Sequence, residues 1–375
     1  MKAFPRPQKL PAALLAWLAF AWACGVAAAG QARNVILFIG DAGGIPILNA
    51  AGIYAHNQPQ SLFIQSMPQV ALADTSALDG WVTDSAAGMT AIMTGKKTNN
   101  GMLSILPGTA GAEGPAVKTL LEYAEEKGLS TGVMTNMPIW DATPAACYAH
   151  APSRKTMVDI FSQALAPRYG DGVDILIGKD RKKLFDGMKA SGTKAESVLR
   201  KAGYQFYPYP GEIPASARRA VSIYDGDDCP PTKVVDTVLQ ILAGNPKGFF
   251  LMVEWDMHTS NVTVGLDRVI VMDDLIRHVA NQVSPDTLII FAADHSFDLR
   301  VQAGKKKDSF AGQLAAVPLD APPPYKPVIR MNNTHTGEEV VVTAQGPGAE
   351  QLHGFIPNTR IFEVIMAAYG WKESP

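Results

Sequence analysis

Only three cysteines occur in 375 residues, too few to frame a disulfide scaffold, and an apolar share of 47% is too high for a disordered or collagen-like chain. An excess of basic charge is missing too. Lys and Arg number 33 against 35 Asp and Glu, a formal net charge of −2, so no nucleic-acid-binding surface is evident. Charged residues are somewhat sparse at 18%, and no internal repeat or long low-complexity tract interrupts the chain. Leu10–Cys24 is too short an apolar run to span a bilayer comfortably, which argues against a stable membrane span in the mature chain.

What is present begins with a leader-like order. Lys2, Arg6 and Lys9 precede that apolar run, and Ala27, Ala28 and Ala29 follow it. Basic start, short apolar middle and small residues at the end predict a signal peptide over 1–29, cut after about Ala29. The expected destination is a secreted, periplasmic or extracellular space. Two other fates stay open: lipidation at Cys24, although Trp22 and Ala23 suit that pattern poorly, and a retained anchor. The mature chain then keeps Cys147 and Cys229, which nothing in the sequence brings together.

Beyond Gln31 apolar runs alternate with helix-like stretches. The expected class is α/β, a mostly parallel central sheet flanked by helices on both faces, in one domain over 30–375. Strands are predicted at Asn34–Ile39, Thr131–Thr135, Asp174–Ile177, Gly248–Val253 and Thr287–Ala292, whose near-continuous apolar character suits burial on both faces. Helices are predicted at Ala86–Met93, Val117–Lys127, Thr232–Ala243 and Leu266–Val283. In the last, Met272, Leu275, Ile276 and Val279 follow the spacing of one buried face. Pro318–Pro327 reads as a surface connection.

Three of these strands run into acids: Asp41, Glu254, and Asp294 followed by His295. In open α/β sheets the ligand site lies beyond the carboxyl ends of the strands, where converging carboxylates repel one another unless a cation neutralises them. Asp256 and His258 follow Glu254 closely, and His335 stands in the segment Asn333–Gly337. Mixed Asp, Glu and His donors suit catalytic zinc with a harder ion nearby. Each acid alone could simply cap a turn; the whole set at strand ends is harder to read so. Thr83-Asp84-Ser85-Ala86-Ala87-Gly88 sets Ser85 at or near a helix N-terminus, a place that favours an anion, although a plain capping serine reads the same way. Asp141 and Thr143 offer oxygens for magnesium, and Arg154 offers a planar fork for two phosphate oxygens; on its own this segment is an ordinary turn. Gly95-Lys96-Lys97 is not a phosphate loop, since no glycine stands at the required spacing before it and Lys97 replaces the Ser/Thr.

Taken in order, these segments resemble the alkaline phosphatase family over most of the chain, from Asn34 to about Gly370. The first strand with Asp41, Val82–Ala87 with Gly95–Gly101, Asp141–Lys155, Val253-Glu254, Ala293–Ser296 and His335–Gly337 all correspond. The resemblance implies a metal-dependent phosphomonoesterase with two zinc ions and one magnesium ion, acting on a small phosphate-ester substrate through a phosphoserine on Ser85. It assigns Asp294 and His295 to the zinc that activates Ser85, with Asp41 bridging toward magnesium. Glu254 and Thr143 complete the magnesium site, with Asp141 behind them, His335 holds the other zinc, and Arg154 grips phosphate. One departure is visible. The family usually leaves three residues between the second zinc's Asp and its first His, whereas only Met257 separates Asp256 from His258. Both are assigned as ligands, with Asn261 as the alternative. The segment between His295 and His335 is short, so the extra substrate-side insertion of larger members is expected to be absent and the familiar dimer contact is in doubt; a homodimer stays open. A phosphodiesterase on the same scaffold and a non-catalytic phosphate-binding relative are the competing readings. His150, one helical turn before Arg154, is expected to support the phosphate shell rather than a metal.

Overall fold

The computed structural model describes residues 31–109, 114–258, 260–317, 321, 324 and 326–373. The predicted signal peptide with Cys24, and part of Pro318–Pro327, lie outside the described residues. Ten strands form one sheet: β1 (Asn34–Asp41), β2 (Gln69–Asp74), β3 (Ser130–Pro138), β4 (Ile175–Lys179), β5 (Gln205–Tyr207), β6 (Ala220–Tyr224), β7 (Phe249–Asp256), β8 (Thr287–Ala293), β11 (Val340–Gln345) and β12 (Gly354–Pro357). Their order is β12-β2-β11-β8-β1-β7-β3-β4-β6-β5. Every pairing is parallel except those of β11, which runs antiparallel to both neighbours. A separate antiparallel pair, β9 (Ser296–Val301) and β10 (Ile329–Thr336), brackets the short segment that follows His295, with the helix Phe310–Ala316 between them and His335 on β10.

Alternation along the central strands divides the core into two layers. Val35, Leu37 and Ile39 of β1 pack on one face with Met89, Ile92, Leu121 and Phe362, which come from helices Ser85–Thr94, Leu120–Lys127 and Arg360–Ala368. Ile36 and Phe38 face the other way, toward helices Ile45–His56, Pro231–Leu242 and Val262–Ala280. Each fully buried side chain of this size contributes about 1.5–3 kcal/mol, so the middle strands have little freedom to slip. Met272, Leu275, Ile276 and Val279 are all buried, as their spacing predicts.

Helix boundaries differ from the sequence reading where caps intervene. Leu120–Lys127 starts three residues later than predicted because Thr119 and Glu122 form a reciprocal capping box. Val262–Ala280 starts earlier because the Asn261 side chain accepts from Thr263 and Val264 backbone N–H groups. Cys147 and Cys229 are both buried and unpaired with each other. No helix among the described residues is long and apolar enough to cross a membrane.

Candidate active site

Register fixes the floor of the site. Asp41 at the end of β1 pairs with Asp256 of β7, Ile39 with Glu254, and Gly40 with Ala293 just before Asp294. The central strands therefore deliver their acids to one level, the crevice where open parallel sheets bind ligands. Burial, and then the charges of Asp294, Asp256 and Glu254, push the Asp41 carboxyl well above its ordinary range. Burial does the same to Glu254, while Asp294 and Asp256 rise to about 6, burial again the first cause.

The helix Ser85–Thr94 brings the serine down to this floor. Asp84 caps it, accepting from Ala87 N–H at 3.0 Å, so Ser85 is its first residue. All ten residues of the helix are buried. Gly88 is decisive: a Cβ there would meet the Asp294 carbonyl oxygen at 2.5 Å. With hydrogen in its place the helix seats against the end of β8, and Ser85 Oγ stands 3.2 Å from His295 Nε2.

Three imidazoles are preset in the same sense. His295 Nδ1 lies 3.1 Å from Ser296 carbonyl oxygen and His335 Nδ1 lies 2.9 Å from Thr83 carbonyl oxygen. The His258 ring also donates to backbone, at Asn333, while its Nε2 is buried without a partner. Carbonyls only accept, so each Nδ1 carries the proton and each Nε2 offers a lone pair. Burial holds all three rings neutral, pulling His295 down to about 4 and lowering His258 and His335. His335 stacks on His295 with centroids 3.8 Å apart, and His258 meets His335 edge-on at 5.3 Å.

Donor atoms of Asp41, Asp294 and His295 all lie within 4.8 Å of one another. Asp294 Oδ1 accepts from the N–H groups of Ala42 and His295, but its Oδ2 is buried and unpaired. Buried lone pairs without donors at Asp294 Oδ2 and His258 Nε2, beside repelling carboxylates, are what a divalent cation would satisfy. Nearby, Glu254 accepts from the Thr135 hydroxyl at 2.5 Å. The Thr143 hydroxyl is buried beside Glu254 without a hydrogen-bond partner of good geometry, a second set of oxygens suited to a hard ion. Asp141 caps its own short helix and accepts from Arg154 Nη2 at 2.7 Å, while Arg154 Nη1 reaches Asp84 at 3.2 Å. Burial would discharge the guanidinium, but Asp141 and Asp84 outweigh it and keep the charge.

Asp256 is spoken for elsewhere: one oxygen accepts from His258 N–H at 2.8 Å, the other from Arg268 Nη1 at 2.6 Å. Asn261 has its side-chain oxygen at the start of the helix it caps. His150 turns from Arg154 to Ser104 carbonyl oxygen and Glu122, contrary to the sequence expectation, because a buried carboxylate is the stronger partner. Sequence reasoning assigned no role to Asp84, though it adjoins Ser85 and grips Arg154. It also passed over Arg268, which sits unmarked inside a helix.

The family model described as "Alkaline phosphatase" matches residues 32–205 and 210–317. Alkaline phosphatase 4 of Bacillus subtilis is 28% identical over 415 residues, covering 89% of this chain and 88% of that protein. The alkaline phosphatase of Escherichia coli K12 is 26% identical over 417 residues, covering 91% and 87%. Among solved structures, the alkaline phosphatase of Thermus thermophilus superposes with a TM-score of 0.78 at 21% identity, covering 92% of each chain.

Proposed function

The chain belongs to the alkaline phosphatase family, and from that premise we propose that it is a phosphomonoesterase working through a phosphoserine on Ser85. The carrying observation is Ser85 Oγ at 3.2 Å from His295 Nε2, in one buried cluster with Asp41 and Asp294. Divalent cations, two zinc and one magnesium in this reading, would supply charge neutralisation and Lewis acidity when held by Asp41, Asp294 and His295, by His258 and His335, and by Glu254 and Thr143 with Asp141 behind them.

The chain's own residues then do the following. Because Nδ1 of His295 is protonated, its Nε2 lone pair faces Ser85 Oγ; committed to a cation, that lone pair would place Lewis acidity beside the serine oxygen and favour loss of the hydroxyl proton to water, from which the leaving alcohol can be protonated. Arg154, held between Asp84 and Asp141, presents its fork to two non-bridging phosphate oxygens. Ser85 Oγ attacks phosphorus, the new O–P bond forms as the bond to the leaving alcohol breaks, and the alcohol takes up a proton. Water then displaces the serine oxygen from phosphorus, releasing inorganic phosphate and returning the Ser85 hydroxyl.

A monoester carries the additional anionic oxygen that Arg154 suits, which favours it over a diester. The test compares p-nitrophenyl phosphate with bis-p-nitrophenyl phosphate in the wild type and in Ser85→Ala. Monoester turnover that Ser85→Ala loses while keeping its zinc supports the reading. Diester preference, or unchanged turnover in the variant, contradicts it. One catalytic domain spanning 30–375, exported from the cytoplasm, completes the proposal. It is supported by the single sheet that carries most site residues and by the basic, apolar and small-residue order of residues 2–29.

A further inference from the structure

We infer that Asp256 is a positioning residue rather than a metal ligand: Arg268 locks its carboxylate, the carboxylate fixes the backbone of His258, and the second cation site draws on His258 and His335 without it. The inference rests on the metal-dependent reading above and departs from the family-like assignment of Asp256.

Four side chains close a ring behind the site. Asp256 N–H donates to Asn136 Oδ1 at 2.8 Å, and Asn136 Nδ2 donates to Asp228 Oδ2 at 3.1 Å. Asp228 takes Arg268 Nε at 3.1 Å and Lys179 Nζ at 3.0 Å. Arg268 returns to Asp256 Oδ2 at 2.6 Å. Backbone and carboxylate of Asp256 are thus tied from two sides, and its remaining oxygen is bonded to His258 N–H. Among the described residues, the only group of three or more donor atoms within 4.8 Å of one another is Asp41, Asp294 and His295; Asp256 joins no such cluster with His258 and His335.

The compressed spacing explains why. Asp256 is still part of β7, paired with Asp41, so the sheet sets its side-chain direction, and Met257 N–H continues the tie to Asp41 carbonyl oxygen at 3.0 Å. Only at His258 does the chain turn far enough to aim a ring at His335. Swinging the carboxylate to a cation would strip Arg268 of a charge-assisted bond in a half-buried setting. The arrangement as it stands satisfies every member, and a group that orients a ligand from behind typically controls about 10- to 100-fold of metal affinity.

The experiment titrates chelator-stripped protein with zinc by calorimetry and with cobalt by visible absorption, in wild type, Asp256→Asn, Arg268→Met and the double variant. The expected result is a loss of about 10- to 100-fold in the weaker affinity for each single variant, with the double no worse than either. At saturating cobalt the visible bands should superimpose on wild type, because the donor set is unchanged. A changed cobalt spectrum in Asp256→Asn would make Asp256 a ligand. Tighter zinc in Arg268→Met would overturn the positioning role, since the inference requires the Arg268 lock on Asp256 to aid cation binding rather than hinder it. If Arg268→Met fails to fold, Arg268→Lys serves, keeping the charge without the fork; wild-type affinity there overturns the inference. Failure of the wild type to bind zinc or cobalt at all would instead overturn the metal-dependent reading, and this inference with it.

Discussion

Replacing Gly88 by alanine adds one methyl group at the contact that seats the nucleophile's helix. That methyl would lie 2.5 Å from the Asp294 carbonyl oxygen and 3.4 Å from Asp294 Cβ. Ordinary carbon contacts need about 1 Å more than the shorter distance, and neither a backbone carbonyl nor a fully buried helix can yield cheaply. Overpacking of this kind costs about 1–3 kcal/mol of stability. The larger effect falls on chemistry. Ser85 begins the helix, so lifting it from β8 opens the 3.2 Å approach to His295, and a misplacement near 1 Å costs on the order of 10²-fold in rate. The control is Gly312→Ala, in helix Phe310–Ala316, where the nearest atom to an added Cβ is at 3.6 Å; a helical glycine there is worth about 0.4–1 kcal/mol less than alanine. The assay is kcat/KM on p-nitrophenyl phosphate beside thermal unfolding. Gly88→Ala with turnover within twofold of wild type would refute the claim that this contact places Ser85.

Two other outcomes follow from buried acids. Glu125 is raised from 4.5 to about 7, burial being the chief cause, while it accepts from the Thr131 hydroxyl and from Gly172 N–H. A carboxyl whose folded value is raised favours the fold below its unfolded value, and that advantage is lost as pH climbs from about 4.5 to about 7, worth about 3 kcal/mol in all. Glu125→Gln should therefore raise the urea midpoint at pH 8 relative to wild type and leave it little changed near pH 4.5; an equal gain at both would contradict the assignment. Chelation should abolish turnover and also lower the thermal midpoint, because Asp41, Glu254 and Asp294 would again face one another without a cation. A midpoint unmoved by chelator and restored zinc alike would argue that the acids need no ion.

Much of the floor was legible because doubly buried parallel strands are written as unbroken apolar runs. An acid ending such a run has one place to go, as Asp41, Glu254 and Asp294 show. Strands β2, β5, β6, β11 and β12 of the main sheet and the pair β9 and β10 were missed: β5 spans only Gln205–Tyr207, the exposed Val70 and Phe355 blur the pattern of β2 and β12, and β2 and β11 pair segments far apart in the chain. The destination of Asp256 was not legible either. It depends on Asn136 from β3, Asp228 from a loop and Arg268 from the next helix, and no local spacing records that meeting. Gly88 carried a visible signal, a run of small residues after Ser85, but its contact with Asp294 needed the fold.

The most direct measurement is rapid acid quenching of the zinc- and magnesium-loaded protein during turnover of a phosphate monoester, followed by peptide mass spectrometry. Phosphate should appear on the peptide bearing Ser85, localise to that side chain, and vanish in Ser85→Ala. Steady turnover with an unmodified Ser85, or with phosphate on a different residue, would contradict the serine-to-phosphorus attack.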